Sequence, residues 1–433
     1  MVSPMKIAVI GSGISGLACA YTLSKAEHEV SLFEANDYFG GHTHTVDVTL
    51  DGASYGVDTG FLVFNHKTYP NLVRLFQDLE IETVATDMSF SVKMPVHGRQ
   101  LEWAGANLDT VFTQRRNLLS PAFLRMLRDI LRFNRQTTAL ANNPGQRDFH
   151  TPLGIFLEQH HYSAEFRDWY LLPMAACIWS CPTEAMMAFP LSSFVTFCHN
   201  HGLLQVNNRP QWQTVKGGAR HYVEKMLPAI THTYLNTPVS KVSQHLLQGV
   251  MVQSARGTEC YDHVVFACHS DQTLRLLDDA TSTEKRLLSA IRYQPNRAVL
   301  HTDARFLPEH KKAWSAWNYQ SENGSEPRVC VHYLINQLQP LPFTTPVIVT
   351  LNPIEEPTPE TILGSFDYAH PVFDAAAIQA QQRLDQIQGS RNLWFAGAWT
   401  GYGFHEDGLK SGLKAAQSIL ARAGMSSLWS AAA

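Results

Sequence analysis

The chain has 433 residues, of which 45% are hydrophobic and only 17% are Asp, Glu, Lys or Arg, whereas a typical soluble domain carries about 25% charged residues. This composition excludes a disordered chain, and the length suggests two or three domains at roughly 100–200 residues each. The net charge of −4 argues against a nucleic-acid partner, because proteins that bind nucleic acid are usually basic.

The first predicted element is a strand, glycine turn, helix and second strand over residues 6–34. Three glycines in the spacing G-x-G-x-x-G follow the first strand, and they suit a tight turn and a close approach of pyrophosphate to the helix N-terminus. Glu34 lies 18 residues after Gly16 and is expected to accept a hydrogen bond from a ribose hydroxyl. The segment therefore predicts a dinucleotide site formed by Gly11, Ser12, Gly13, Ile14, Ser15, Gly16, Glu34 and Ala35.

The next segments carry a resemblance to a known family. A Gly-Gly-His follows Glu34, and residues 55–65 read YGVDTGFLVFN. The sequence resembles the flavin-containing amine oxidase and phytoene desaturase superfamily, which places Gly-Gly-Arg and then an aspartate–glycine turn at these points. The resemblance implies FAD as the cofactor, with His42 in place of the usual Arg. The contacts that it implies are Gly40, Gly41, His42, Thr43, Thr59, Gly60, Phe61 and Leu62.

Three later segments extend the resemblance over nearly the whole chain. They are WQTVKGG at 212–218, the β-rich stretch 236–268 and LWFAGAWTGYGFHEDGLKSGLKAA at 393–416, which is similar to the closing signature of the family. A helix that begins there would place its positive end at the flavin pyrimidine. The further FAD contacts that the resemblance implies are Val239, Ala267, Gly397, Ala398, Phe404, His405, Glu406 and Leu409.

The order of these segments predicts two interleaved domains in an α/β chain. A Rossmann-type FAD-binding domain would take residues 1–65, 205–290 and 388–425, and an α+β substrate domain would take 66–204 and 291–387. Within the substrate domain, the pattern predicts strands at Ser89–Val96, Gln100–Trp103, Ala298–His301, Val329–Leu334 and Val347–Leu351.

The departures from the family bear on the substrate. Arg297 aligns with the lysine that amine oxidases of the superfamily commonly place near flavin N5, and Phe404 replaces a Tyr or Trp of their aromatic cage. Both changes favour an apolar substrate. The finer resemblance is to a bacterial subgroup of FAD-dependent oxidoreductases that is associated with cyclopropane-fatty-acid-synthase-type enzymes. It implies hydride removal from a fatty-acyl chain, such as that of a phospholipid, and hence desaturation.

Two other functions stay open: an amine or amino-acid oxidase, and a flavoprotein with a non-redox or partner-supporting role. The polar candidates for catalysis near the flavin are His405, Glu406 and Arg297, because an imidazole or carboxylate can take a proton as hydride leaves. A flavin or helix-start contact is the alternative for Glu406. Cys177 and Cys181 form a CxxxC without a second pair, so no metal is expected.

A basic segment at residues 115–135 suggests a membrane contact. It holds six arginines against one acid, and four of the arginines share one helical face: Arg125, Arg128, Arg132 and Arg135. A basic amphipathic helix of this kind suits an anionic membrane surface, although an ordinary helix with a solvated basic face would show the same pattern. Residues 1–10 lack signal-peptide features, so we expect a cytoplasmic protein that is peripheral on the inner membrane face.

Overall fold

The computed structural model describes residues 3–143, 151–179, 186–205, 209–245, 249–322 and 329–425. The strands in chain order are β1 (Lys6–Ile10), β2 (Glu29–Phe33), β3 (Thr45–Leu50), β4 (Ala53–Asp58), β5 (Phe64–Asn65), β6 (Thr83–Thr86), β7 (Phe90–Val96), β8 (Arg99–Ala104), β9 (Trp212–Val215), β10 (His232–Tyr234), β11 (Val239–His245), β12 (Gly249–Ser254), β13 (Gly257–Tyr261), β14 (His263–Phe266), β15 (Arg292–His301), β16 (Trp317–Ser321), β17 (Val329–Leu334), β18 (Ile348–Leu351), β19 (Ile362–Val372) and β20 (Leu393–Phe395). The helices are α1 (Ile14–Lys25), α2 (Pro70–Asp78), α3 (Leu108–Val111), α4 (Pro121–Asn142), α5 (Leu153–Gln159), α6 (Ala164–Phe166), α7 (Leu172–Trp179), α8 (Leu191–Asn200), α9 (Arg220–Met226), α10 (Ser270–Leu276), α11 (Ser282–Ser289), α12 (Ile335–Leu338), α13 (Ala375–Gln381) and α14 (His405–Arg422).

A five-stranded parallel sheet forms the first layer, with strand order β10-β2-β1-β14-β20. Its strands are short, and β1, β2, β14 and β20 are almost wholly buried, as expected for a parallel sheet that is covered on both faces, whereas the edge strand β10 is mostly exposed. Helices α1 and α14 pack closely, because a Cβ on Gly412 would lie 2.1 Å from the carbonyl oxygen of Ser15. The sheet confirms the predicted Rossmann-type fold and draws its strands from three distant parts of the sequence, while the exact domain boundaries stay a prediction.

A seven-stranded mixed sheet forms the second layer, with order β19-β15-β18-β17-β16-β7-β8. The five strands predicted from the sequence are present here; four agree within one residue at each end, whereas β15 begins six residues before its predicted start at Ala298. The β7–β8 turn places His97 at φ 48° and Gly98 at φ 73°. Helices α4 to α8 pack beside this sheet around a second apolar core that includes Phe133, Phe156 and Phe194.

The predicted basic helix is only partly as expected. Residues Arg115–Leu119 form a 3₁₀ turn, and α4 begins after Ser120, which caps it by accepting a hydrogen bond from the N–H of Phe123. Within the described ranges, no helix combines the length and hydropathy that crossing a bilayer requires.

The four arginines of α4 do not form one free basic face. Arg125 makes an ion pair with Glu165, and Arg132 lies over the ring of Tyr162 with its guanidinium 3.5 Å from Asp129. Arg128 and Arg135 face solvent. The exposed stripe of α4 instead alternates these two cations with Leu124 and Leu131, which are 45% and 61% exposed.

Candidate functional site

One cavity of about 940 Å³ lies between the two sheets. One side is formed by the carboxyl ends of the parallel strands β1, β2, β14 and β20, which is where open α/β sheets bind ligands. The other side is formed by β7, β16, β17 and β18 together with α7 and α8. The cavity therefore joins the predicted dinucleotide site to a second chamber in the substrate domain.

Sterics explain two of the three glycines in the turn after β1, and the third leaves space for a ligand. Gly11 has φ 101°, and a Cβ there would lie 2.9 Å from the carbonyl oxygen of Ala267. A Cβ on Gly13 would meet nothing within 4 Å, so this position leaves the N-terminus of α1 open to a ligand. A Cβ on Gly16 would lie 1.9 Å from the carbonyl oxygen of Gly11, so Gly16 serves the packing of turn against helix and does not line the cavity.

Glu34 ends β2 at the cavity wall and is held by the glycine turn. Its carboxylate accepts hydrogen bonds from the backbone N–H and hydroxyl of Ser12 and from the N–H of Asn36 at 2.9 Å. The hydroxyl of Ser12 in turn accepts from the N–H of Gly40 at 3.1 Å. This network aims a fixed acceptor into the cavity, as a ribose hydroxyl requires.

The Gly40–Gly41 turn and the Thr59–Leu62 segment are locked together. The N–H of Phe61 donates to the carbonyl oxygen of His42 at 2.8 Å, and a Cβ on Gly60 would lie 2.2 Å from the same oxygen. The ring of His42 lines the cavity and stacks on Tyr368 with 5.0 Å between ring centroids. Its Nε2 is buried and has no hydrogen-bond partner among the described residues.

His405 is the first residue of α14 and lines the cavity with its ring stacked on Phe61 at 3.9 Å between centroids. Burial lowers the pKa of His405 to about 3, so the imidazole is neutral at physiological pH. Its Nε2 lies 2.9 Å from the hydroxyl of Tyr222, which is also hydrogen-bonded to the hydroxyl of Thr43.

The direction of this chain follows from counting donors. If Thr43 donates to Tyr222 and Tyr222 donates to His405 Nε2, every hydrogen has an acceptor. In the opposite direction the hydroxyl hydrogen of Thr43 would lack one, because the structure shows no other acceptor beside it among the described residues. His405 therefore carries its proton on Nδ1, at the first residue of α14 and next to the positive end of that helix.

Five predicted site residues do not line the cavity, and each is a correction: Gly16, which serves the packing of the glycine turn, and four others. Arg297 points outward from β15, is exposed and pairs with Glu356 at 2.7 Å, so it does not reach the cavity. Glu406 is buried and accepts from the N–H groups of Asn71 and Leu72, both at 3.0 Å, so it caps the start of α2. Thr43 reaches the site only through Tyr222, and Leu409 packs in the core.

The remaining predicted contacts line the cavity. They are Gly11, Ser12, Gly13, Ile14, Ser15, Glu34, Ala35, Gly40, Gly41, His42, Thr59, Gly60, Phe61, Leu62, Val239, Ala267, Gly397, Ala398, Phe404 and His405. The residues present fit FAD: an open turn at a helix N-terminus for the diphosphate, a held carboxylate for the ribose and a neutral donor at the helix start. When bound, the flavin supplies the acceptor for a hydride.

Sequence reasoning missed the walls that the substrate domain contributes. His269 and His370 lie near His42, with the ring centroids of His370 and His42 5.3 Å apart. No motif pointed to His370, which reaches the cavity from the end of β19. The second chamber is lined by apolar and aromatic side chains that look like ordinary core residues in the sequence: Met88, Phe90, Met174, Cys177, Ile178, Phe197, Leu203, Trp317, Tyr333, Leu351 and Phe373.

Fold and cavity together define a dinucleotide-binding oxidoreductase, and the comparisons specify its family. The model of the flavin containing amine oxidoreductases matches residues 14–346. The chain belongs to this family and is an FAD-dependent oxidoreductase, which confirms the cofactor that the sequence resemblance implied.

Individual relatives match in different ways. The 1-hydroxycarotenoid 3,4-desaturase of Flavobacterium sp. (strain P99-3) is 42% identical over 81 residues, which are 18% of this chain and 15% of that relative. The solved structure of a CLA-producing fatty acid isomerase from P. acnes superposes with a TM-score of 0.65 at 14% identity, over 96% of this chain and 98% of the other. A putrescine oxidase structure gives a TM-score of 0.66 at 17% identity, over 97% and 100%.

Proposed function

We propose that this FAD-dependent oxidoreductase removes hydride from a carbon of an apolar substrate and desaturates a fatty-acyl lipid at or near the membrane surface. The observation that carries the proposal is the chamber between β16–β18 and helices α7 and α8, whose walls are apolar and aromatic. Each methylene that such a chamber removes from water contributes roughly 0.8 kcal/mol to binding, so an acyl chain fits it well.

The few polar groups of this chamber do not suit an ammonium ion. Within the part of the chain that the structure describes, the carboxylates that line the cavity are Glu34, which is held at the ribose site, and Asp367 on β19, which is exposed to solvent. His201 is the imidazole of the chamber; burial lowers its pKa to about 4, and its Nδ1 donates to the carbonyl oxygen of Phe197. Its Nε2 is therefore an uncharged acceptor.

The packing of Phe404 also argues against an open aromatic cage, because other side chains already lie against its ring. This ring stacks on Phe197 with 4.6 Å between centroids, and His201 packs against it at 5.6 Å. The carotenoid desaturase and the fatty acid isomerase among the similar proteins support an apolar substrate, whereas the putrescine oxidase supports the amine alternative.

Anaerobic reduction of the flavin separates these functions. The purified holoprotein is mixed with phospholipids that carry unsaturated or cyclopropane acyl chains, and then with a panel of amines and amino acids, while the flavin absorption band is followed. We expect bleaching by a lipid. Bleaching by amines alone would refute the lipid substrate, and bleaching by none of them would support a non-redox role.

A matched pair of variants tests the chamber itself. Ile178→Glu places a carboxylate in the apolar wall, whereas Ile155→Glu makes the same change at a position that is 46% exposed on α5. We expect the first to slow flavin reduction by lipid at least about tenfold, since burying an unpaired charge costs several kcal/mol, and the second to leave it unchanged. Equal effects of the two substitutions on flavin reduction would show that the chamber does not hold the acyl chain.

For the membrane, we propose contact through the exposed stripe of α4 formed by Leu124, Arg128, Leu131 and Arg135. Cations beside exposed leucines suit an anionic lipid surface, where each is worth about 1 kcal/mol. The test is co-sedimentation with vesicles of anionic phospholipid. We expect Arg128→Glu/Arg135→Glu to lose binding and Lys285→Glu/Arg286→Glu, an equal charge change at exposed positions of α11, to keep it. Absence of binding by the native protein would refute the proposal.

A further inference from the structure

Among the described residues that line the cavity, no cation is committed to the diphosphate of FAD. Among the described residues, the only lysine or arginine in the cavity wall is Arg275, which is largely exposed and already pairs with Asp271 at 2.8 Å. Glu34 and Asp367 add negative charge to the same cavity. A dianionic diphosphate at the N-terminus of α1 therefore meets a site with no permanent cation committed to it.

His42 follows a turn that lies beside the start of α1, where the diphosphate of FAD is expected. It follows Gly41, whose added Cβ would lie 3.1 Å from the Cα of Gly13, so the Gly41–His42 turn lies against the start of α1. The Nε2 of His42 is buried and has no partner among the residues described. A buried polar atom without a partner is costly and calls for a ligand that satisfies it.

We propose that His42 is the counter-cation of the FAD diphosphate and that it takes up a proton when the cofactor binds. A histidine can supply this charge only by titrating, unlike an arginine, which is always charged. Retention of FAD by this protein then depends on pH. The inference needs FAD binding alone and is independent of the acyl substrate.

The surroundings of His42 decide its charge in the absence of the cofactor. Burial lowers the pKa of His42 well below its ordinary value, and the neighbouring imidazoles of His370, His269 and His405 lower it further. The ring of Tyr368 is uncharged, because burial raises the pKa of its hydroxyl. His42 is therefore neutral before FAD binds, and a full proton is taken up.

The neighbouring histidines are less suited to this role. Asn296 Nδ2 donates to Nδ1 of His370 at 2.7 Å, and the orientation of that amide is fixed because its Oδ1 accepts from Asn352 at 2.7 Å. His370 thus has an acceptor on Nδ1 and cannot take a second proton there. His269 stacks on Tyr293, and burial lowers its pKa, while Asp271 raises that pKa and Arg275 lowers it further.

The experiment measures the Kd of FAD from pH 6 to pH 8, by the fluorescence of FAD released on dilution of the holoprotein. Uptake of one proton raises the Kd up to tenfold per pH unit while the pH lies between the pKa of His42 in the FAD-free protein and its higher pKa in the complex. We expect a total rise of at least about tenfold for the native protein. For His42→Arg, which supplies a permanent cation, we expect a change of less than about threefold over the same range.

A control variant secures the assignment. His97→Asn, in the exposed β7–β8 turn, removes a histidine elsewhere and should keep the native pH dependence. Asp58 and Asp407, whose pKa values burial raises to about 7 and about 6, do not line the cavity and remain in every variant. A native Kd that is constant with pH would overturn the proposal, and so would a His42→Arg variant that keeps the native slope.

Discussion

The hydrogen-bonded chain from Thr43 through Tyr222 to His405 gives the sharpest test of the site geometry. Tyr222→Phe keeps the ring, which is fully buried, and removes only the hydroxyl. His405 Nε2 then loses its donor in a place that water does not reach. A buried polar atom left without a partner costs about 1–3 kcal/mol, so we expect the unfolding free energy to fall by about 2 kcal/mol.

The control distinguishes the two directions of the chain. Thr43→Val removes the other partner of Tyr222 but leaves Tyr222 free to donate to His405, so the loss should stay below about 1 kcal/mol. If Tyr222 instead donated to Thr43, Thr43→Val would strand a buried hydroxyl hydrogen and cost as much as Tyr222→Phe. Urea unfolding of the FAD-saturated proteins measures both, and equal losses would refute the Nδ1–H tautomer of His405.

Four other predictions follow from the structure. Arg297→Ala should leave the rate of flavin reduction by the substrate unchanged within about twofold, because an exposed ion pair contributes little. A larger loss of rate would show that Arg297 acts in the site. Glu406→Ala should lower the unfolding free energy by about 1–3 kcal/mol through the lost cap of α2, without changing the flavin spectrum. Burial lowers the pKa of His301 to about 4, so the folded protein binds fewer protons than the unfolded chain between about pH 4 and 6.5. The unfolding free energy should therefore decrease as the pH is lowered through this range, by up to about 1.4 kcal/mol per pH unit. His301→Gln should remove that contribution. Gly412→Ala should be poorly folded or destabilised by about 1–3 kcal/mol, since its Cβ would meet the carbonyl oxygen of Ser15, whereas Gly52→Ala, which meets nothing within 4 Å, should show only the strain of its positive φ in a thermal melt.

Local chemistry explains why the cofactor site was predictable. Gly11, Gly40 and Gly41 each adopt a positive φ, a conformation that favours glycine, so their identity carries the backbone geometry directly. Glu34 ends a strand whose neighbours fix its direction, and the same holds for Gly397 after β20. At such positions the residue type and its place along the chain are enough to predict where it lies in the structure.

The sequence did not determine which side of a strand or helix the candidate catalytic side chains lie on. Arg297 lies on a strand, where a shift of one position exchanges the buried and the exposed side; Asn296 is the buried neighbour and Arg297 the exposed one. His405 and Glu406 are consecutive on a helix and point about 100° apart, so both could not face the flavin site. Only the packing of α2 against α14 decides that Glu406 turns away.

The substrate chamber shows why function is harder to predict than cofactor. Its walls come from α7, α8 and four strands of the mixed sheet, which lie far apart in the chain and are brought together by the interleaving of the two domains. Residues such as Phe197 and Leu351 have the composition of core residues, and a sequence pattern does not distinguish a side chain that fills the interior from one that borders a cavity. What separates the two is whether a neighbour occupies the remaining space, and that depends on the relative placement of both sheets. The apolar character of the substrate is thus a property of the assembled chamber, and the substitution at Ile178 tests it more directly than any change in the FAD motifs.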